Sequence, residues 1–362
     1  MKKNIIFFLP VFIPGGAGNA ISRMCKNFNQ NKYILHIISI GPCSYKNELK
    51  SYVKKFYELK TKRTILSIFK LREIVKKLTK ENNSIFISNI NYANVISVIA
   101  LKNILNLKII LVERTALKEL DIYFGFRDLI KKKITKLLIK IFYKKADKLI
   151  TNSKIASKSL EELTSSKVHT IYSPGFIKLN KKKIKPNNIK KILTVGRLSR
   201  EKDYETIIKA VNLIKHKNFI LEIIGDGNQK NKLKNLIKKL KLENKVFLRG
   251  YKKNPSIFFK RADLYINSSF FEGFPNSVIE AISYNLPVIC TKSHGGINEI
   301  ISNGKGGFFF EAGNFYELSN LIDRFLISRK KFIEKTNFAK NNIKKFNIMN
   351  CTKAYQKIFE EL

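Results

Sequence analysis

Short apolar runs alternate along this chain with stretches in which apolar positions recur every three or four residues. A short run bounded by polar turns reads as a buried strand, and the longer period reads as a helix with one face on a core. Their regular alternation predicts parallel α/β sheets rather than hairpins. In the first half the runs place strands near 5–9, 34–40, 84–88, 108–112, 148–151 and 168–171. In the second half they fall near 192–195, 220–224, 246–248, 264–267, 288–290 and 307–310. The rhythm restarts after 179–188, a stretch of lysine and asparagine with Pro186 that reads as a linker. Domains are therefore expected at 1–180 and 181–346.

Between the strands, a helix is expected over 203–214 with Asp203 placed to cap it. Another is expected over 127–145. Its stripe of Ile130, Ile134, Leu137, Leu138, Ile141 and Phe142 should be buried on the sheet, with Lys131, Lys132, Lys133, Lys136, Lys140 and Lys144 mostly facing away. Two segments echo each other, Ala146-Asp-Lys-Leu-Ile-Thr-Asn-Ser153 and Ala262-Asp-Leu-Tyr-Ile-Asn-Ser268. Each should leave a helix, form a buried strand and emerge at the strand's carboxyl end. The echo reads either as a trace of two related halves or as one helix-to-strand junction used twice.

Composition adjusts this picture. The 362 residues, 44% of them apolar, suffice for two cores. The apolar start is broken by Pro10 and Pro14 and followed by a second run at 33–40, so it is expected to be a strand and not a leader. Asn89, Asn91 and Asn94 interrupt the best approach to the roughly 18 apolar residues that a membrane span needs. The expectation is a cytoplasmic protein, or one peripheral on the inner face of the cytoplasmic membrane. Cys25, Cys43, Cys290 and Cys351 are scattered without metal-ligand spacing and read as incidental thiols. The net charge of +43, from 70 Lys and Arg against 27 Asp and Glu, calls for something acidic: nucleic acid, an anionic membrane face or phosphate-bearing substrates. No RNA-binding aromatic strand motif, zinc spacing or helix-turn-helix is present, so nucleic acid is not the expected partner.

The candidate chemistry lies mostly in the second half. Gly196-Arg197 closes an apolar run, Lys202 follows five residues later, and Glu272-Gly-Phe-Pro-Asn-Ser-Val-Ile-Glu280 comes farther on. A diphosphate needs a fork of donors and a second positive charge, which Arg197 and Lys202 supply. Sugar and ribose hydroxyls need acceptors, which Glu272 and Glu280 supply. At the other end, the first apolar run leads into Gly15-Gly16, a turn that lets backbone approach a ligand closely. His294, in a Gly-Gly loop after a strand, is the one histidine with a place near such chemistry.

With these elements in this order, the chain resembles a retaining glycosyltransferase of family 4, also called group 1. That family combines a glycine-rich first loop with Gly-Arg-x4-Lys and Glu-x7-Glu elements, and the resemblance runs through essentially the whole chain. It implies the GT-B architecture, two Rossmann-like domains with parallel sheets facing across a cleft. The first domain would take the acceptor and the second the nucleotide sugar, with 347–362 crossing back as a helix onto the first.

The resemblance also implies roles. Arg197 and Lys202 would hold the diphosphate and stabilise it as it leaves, and Glu272 would meet the donor sugar; these three carry the catalytic assignment. Glu280 would reach the ribose. Phe274, Pro275, Asn276 and Ser277 would line the donor, with the amides of Asn276, Ser277 and Val278 facing the diphosphate. Gly225 would make room for the nucleotide, Gly250 and Tyr251 would lie against the base, and Gly15 and Gly16 would close over the donor. Arg114 stands where family members often carry a histidine or another polar group, and can hold an acceptor phosphate instead. No Asp-x-Asp occurs, so neither metal nor cofactor is expected. The implied partners are a nucleotide diphosphate sugar, a saccharide or lipid-linked acceptor, and an anionic membrane surface. A nucleotide-sugar epimerase of similar fold is the nearest alternative, though it has no need of Glu-x7-Glu. A basic nucleic-acid-binding protein would account for the charge alone.

Overall fold

A computed structural model describes residues 2–61, 64–115, 117–123, 125–180, 189–216, 218–292 and 295–362. The chain forms two compact units, Met1–Pro174 with Ile348–Leu362, and Gly175–Asn347. Most of the stretch expected as a linker, 181–188, lies outside the described residues.

The first unit carries β1 (Lys3–Leu9), β2 (Tyr33–Ser39), β3 (Lys55–Glu58), β4 (Ser84–Asn89), β5 (Leu107–Glu113), β6 (Lys148–Thr151) and β7 (Val168–Thr170), in the order β3-β2-β1-β4-β5-β6-β7. Every pairing is parallel. Both faces are covered, which is why these strands read as continuous apolar runs and not as alternating ones. Ile5 and Phe7 enter one core, and Ile6 and Phe8 enter the other. The helix Ile348–Glu360 joins the first of these cores through Cys351, Tyr355 and Phe359, whose ring meets Phe28 and Tyr33. β3 escaped the sequence reading because Lys-Phe-Tyr-Glu has no apolar run. It is a four-residue edge strand held by pairing with β2.

The second unit carries β8 (Lys190–Val195), β9 (Phe219–Ile224), β10 (Val246–Leu248), β11 (Leu264–Asn267), β12 (Val288–Thr291) and β13 (Phe308–Phe310), in the order β10-β9-β8-β11-β12-β13. This sheet is parallel too. In each unit the strand order reverses once, beside β1 and beside β8. A crevice at the carboxyl ends of the strands opens at such a point.

One open reading is decided here and one expectation is corrected. The echoed segments are the same junction used twice: Asp147 exchanges backbone and side-chain bonds with Ile109 (3.0 and 2.8 Å), and Asp263 does so with Lys191 (2.7 and 2.9 Å). Their strands, β6 and β11, occupy different places relative to β1 and β8, so the echo does not mark equivalent parts of two halves. The helix expected over 127–145 runs Phe126–Phe142, and Ile139 is its one buried residue. Leu138 and Phe142 pack partly on the core beside Ile139, whereas Ile130, Ile134, Leu137 and Ile141 are exposed. The helix has two apolar ridges, and the sheet takes the other one.

Candidate active site

Glycines bring the carboxyl-edge loops of the second sheet into contact. Gly225 follows β9 with φ +152°, and a Cβ there would lie 1.8 Å from the Gly196 carbonyl oxygen. Leu198 then donates its amide to the Asp226 carbonyl (2.9 Å) and is fully buried, which fixes the backbone around Arg197. Arg197 itself is exposed, and among the described residues its guanidinium enters no ion pair. Gly250 closes the same edge with φ +69°, its carbonyl accepting from the Gly225 amide (3.0 Å), and Tyr251 beside it is exposed.

Lys202 ends the short turn Arg200–Lys202, and its ammonium pairs with the Glu272 carboxylate, 70 positions away. The same carboxylate oxygen accepts from the Ser269 hydroxyl (2.8 Å) and the Asn267 amide (3.4 Å). The Ser268 hydroxyl donates to the Lys202 carbonyl (2.7 Å), and the Phe270 amide donates to that of Glu201 (2.9 Å). The turn after β8 and the loop after β11 are thereby stitched together at the strand-order reversal. The two side chains keep 22% and 14% of their exposure, so the pair is shielded without being sealed. Sequence reasoning found both ions but neither their pairing nor the Asn267-Ser-Ser269 bracket beneath it. The signal was the polar end of the second echoed segment.

Asp203 follows with a left-handed backbone (φ 45°), and its carboxylate accepts from the Thr206 hydroxyl (2.6 Å) at the start of the helix Tyr204–Leu213. The expected capping does not form: the Asp203 side chain makes no cap bond to a helix amide, and its left-handed backbone turns the carboxylate to the Thr206 hydroxyl instead. Burial raises its pKa to about 6.

The helix Asn276–Ser283 begins after Pro275. The Val278 amide donates to the Pro275 carbonyl (3.0 Å) and is not open to a ligand, a correction that follows from the tight first turn. The amides of Asn276 and Ser277 precede it in that turn. Glu280, one turn in, is half-buried. The Phe274 ring is buried edge-on against Phe346 and packs beneath Gly296, so this residue shapes the loop with its side chain and has backbone alone to offer a ligand. Gly295 (φ +136°) passes so near the Glu272 carbonyl oxygen that a Cβ would come within 1.7 Å of it. His294 lies outside the described residues. Burial, and then neighbouring Glu272, push the Cys290 thiol up, so it is an inert neighbour of the site.

In the first unit, Gly15 precedes the helix Gly16–Cys25, and a Cβ on Gly15 or Gly16 would meet nothing within 4 Å. Packing does not ask for glycine at either position. Gly18 is different, since a Cβ there would strike the Ile13 carbonyl at 2.2 Å. Arg114 leaves the carboxyl end of β5, its Nε donating to Asn89 Oδ1 (2.8 Å) and a terminal nitrogen to the Ser173 hydroxyl (3.3 Å). Beneath it Glu113 is fully buried and accepts from the Thr115 and Tyr143 hydroxyls (2.6 and 2.8 Å). Burial raises its pKa against those bonds.

Residues 176–345, which hold all of the second unit's candidate residues, match the family described as glycosyl transferases group 1. The likeness to group 1 glycosyltransferases is thus carried by the second unit. It is 39% identical over 184 residues to an uncharacterized glycosyltransferase of Methanocaldococcus jannaschii, covering 47% of this chain and 45% of that protein. It is 30% identical over 220 residues to the N-acetylgalactosamine-N,N'-diacetylbacillosaminyl-diphospho-undecaprenol 4-alpha-N-acetylgalactosaminyltransferase of Campylobacter jejuni, covering 59% and 60%. The chain thus spans about half the length of these curated relatives. Among solved structures, Anabaena HepE in complex with UDP and glucose superposes with a TM-score of 0.82 at 20% identity, over 99% of this chain and 100% of that one. That likeness establishes the fold as GT-B.

Proposed function

We propose that this glycosyltransferase moves a hexosyl or N-acetylhexosaminyl group from UDP to a hydroxyl acceptor with retention of configuration and without a divalent metal. The observation that carries the reading is the Lys202–Glu272 pair beside exposed Arg197 at the strand-order reversal of the second sheet. It offers two cations for a diphosphate and one carboxylate for a sugar hydroxyl within a single stitched loop pair. The bond from the anomeric carbon to the diphosphate oxygen breaks with its electron pair going to UDP. The acceptor oxygen attacks from the same face, and its proton passes to the departing phosphate oxygen. Stabilising that developing charge is the largest contribution the chain's residues make, through Arg197 and Lys202. Glu280 serves the ribose. The lack of Asp-x-Asp in the sequence supports leaving-group stabilisation by side-chain cations.

UDP as the carrier is supported by the neighbour solved with UDP and glucose, and a lipid-linked acceptor by the Campylobacter relative's name. Such acceptors belong to cell-surface polysaccharide or lipid-linked oligosaccharide synthesis. In the first unit, Arg114 retains guanidinium N–H groups beyond those given to Asn89 and Ser173, enough to bind an acceptor phosphate. Calorimetry of UDP-, GDP- and ADP-sugars in EDTA tests the donor and metal claims together. UDP-sugars should bind in EDTA, and Arg197→Ala should weaken them by about 1.5–3 kcal/mol. Preference for another base, or binding that returns only with magnesium or manganese, would overturn the reading. Isomerisation of the sugar with no acceptor present would favour an epimerase.

A further inference from the structure

The second apolar ridge of the helix Phe126–Phe142 has no partner within the described residues. Phe126, Ile130, Ile134, Leu137 and Ile141 are 39% to 76% exposed. At about 100° per residue they fall within roughly a quarter of the helix circumference. Exposed Lys133 and Lys140 border one side of the ridge, and exposed Arg127 and Lys131 border the other. Lys132 and Lys136 are engaged with Asp128 (3.2 Å) and Asp121 (2.8 Å). The apolar surface continues on neighbouring elements. Ile65, Leu66 and Phe69, at the turn Thr64–Ser67 and the start of the helix Ile68–Glu81, are 59% to 84% exposed. Tyr92 and Ile99 are exposed on the helix Asn91–Leu101, which packs against both of the other helices. These three helices follow β3, β4 and β5, so their first turns, bearing Phe69, Tyr92 and Phe126, stand at the carboxyl edge of the sheet.

An ordered row of large apolar side chains in water marks a partner surface. The spacing from Ile130 to Ile141 would suit a second copy of the same helix, ridge on ridge. Symmetric pairing would, however, set lysine borders against lysine borders on a chain of net charge +43, and Asp128, the helix's one carboxylate, is already used by Lys132. An anionic bilayer answers both features, giving the ridge an apolar layer and the borders negative headgroups. We propose that the first unit docks on an anionic lipid bilayer through this face, with the ridge at the boundary between headgroups and acyl chains. The sequence reading expected this stripe to be buried with the lysines facing away; the exposed ridge makes the contact an insertion. The proposal is independent of the donor and acceptor assignments.

The chain has no tryptophan, so Phe126→Trp and Leu137→Trp each install a single reporter. Asn31→Trp, in the turn entering β2 at the opposite edge of the sheet, is the control. Each protein is mixed with vesicles of equimolar phosphatidylglycerol and phosphatidylcholine carrying brominated acyl chains. The two helix reporters should shift to the blue and be quenched, while the control stays unquenched. Glutamine at Arg127, Lys131, Lys133 and Lys140 should lower vesicle partitioning at least about tenfold at low salt. Ile134→Asn with Leu137→Asn should do the same through lost insertion, with an unchanged urea unfolding midpoint as evidence of an intact fold. Vesicle binding without quenching at the helix positions would overturn the proposal, as would no binding at low salt. So would a concentration-dependent dimer, lost in the double asparagine variant, without vesicle binding.

Discussion

Replacing Glu272 by glutamine should tighten UDP binding and make Lys202 matter more. In the ligand-free site the Lys202 ammonium is committed to Glu272, so a diphosphate has to draw on that pairing. Two unit charges about 4 Å apart interact by about 4 kcal/mol at an effective dielectric of 20, and by about 1 kcal/mol in bulk water. With 22% and 14% of the side chains still exposed, solvent screening pulls the pair toward the lower figure. Ser269 and Asn267 can still donate to the glutamine oxygen, so the bracket beneath the residue survives. The expected coupling is about 1–2 kcal/mol, or roughly 5- to 30-fold in affinity. The assay is a double-mutant cycle by calorimetry with UDP, using the parent, Glu272→Gln, Lys202→Ala and the double variant. Lys202→Ala should cost more affinity in the glutamine background than in the parent. Weaker UDP binding by Glu272→Gln, or the same cost of Lys202→Ala in both backgrounds, would refute the reasoning.

Gly225→Ala should destabilise the fold by about 3 kcal/mol or more, because its φ of +152° disfavours a side chain and the new Cβ would collide with the Gly196 carbonyl; an unchanged urea midpoint would contradict this. Asp203, with a folded pKa of about 6 against an ordinary 3.8, keeps its proton longer folded than unfolded. Its contribution to stability should therefore fall as pH rises from about 4 to about 6 and be level above that. Subtracting the urea midpoints of Asp203→Asn from those of the parent between pH 4 and 7 isolates this slope, and a rising difference would show the sign to be wrong.

The strands of both sheets were legible because a parallel sheet covered on both faces needs continuous apolar runs, and a run is a local property. The same holds for Gly196-Arg197 and for the carboxylates at 272 and 280, whose residue types and spacing carry the resemblance without any fold. β3 was not legible, since what makes Lys55–Glu58 a strand is the neighbour it pairs with and not its composition. Helical periodicity found the apolar positions of Phe126–Phe142, but a helix with two apolar ridges does not say which one a sheet will take; packing through Ile139 decided it and left the other ridge in solvent. The pairing of Lys202 with Glu272 lay equally beyond the sequence. Two long side chains 70 positions apart meet only because β8 and β11 are adjacent and the Ser268 and Phe270 bonds hold their loops together. Sequence by itself determined the elements and the chemistry on offer, because both follow from residue type and local spacing. Tertiary structure decided which charges meet and which apolar faces stay uncovered, because those depend on neighbours that are distant along the chain.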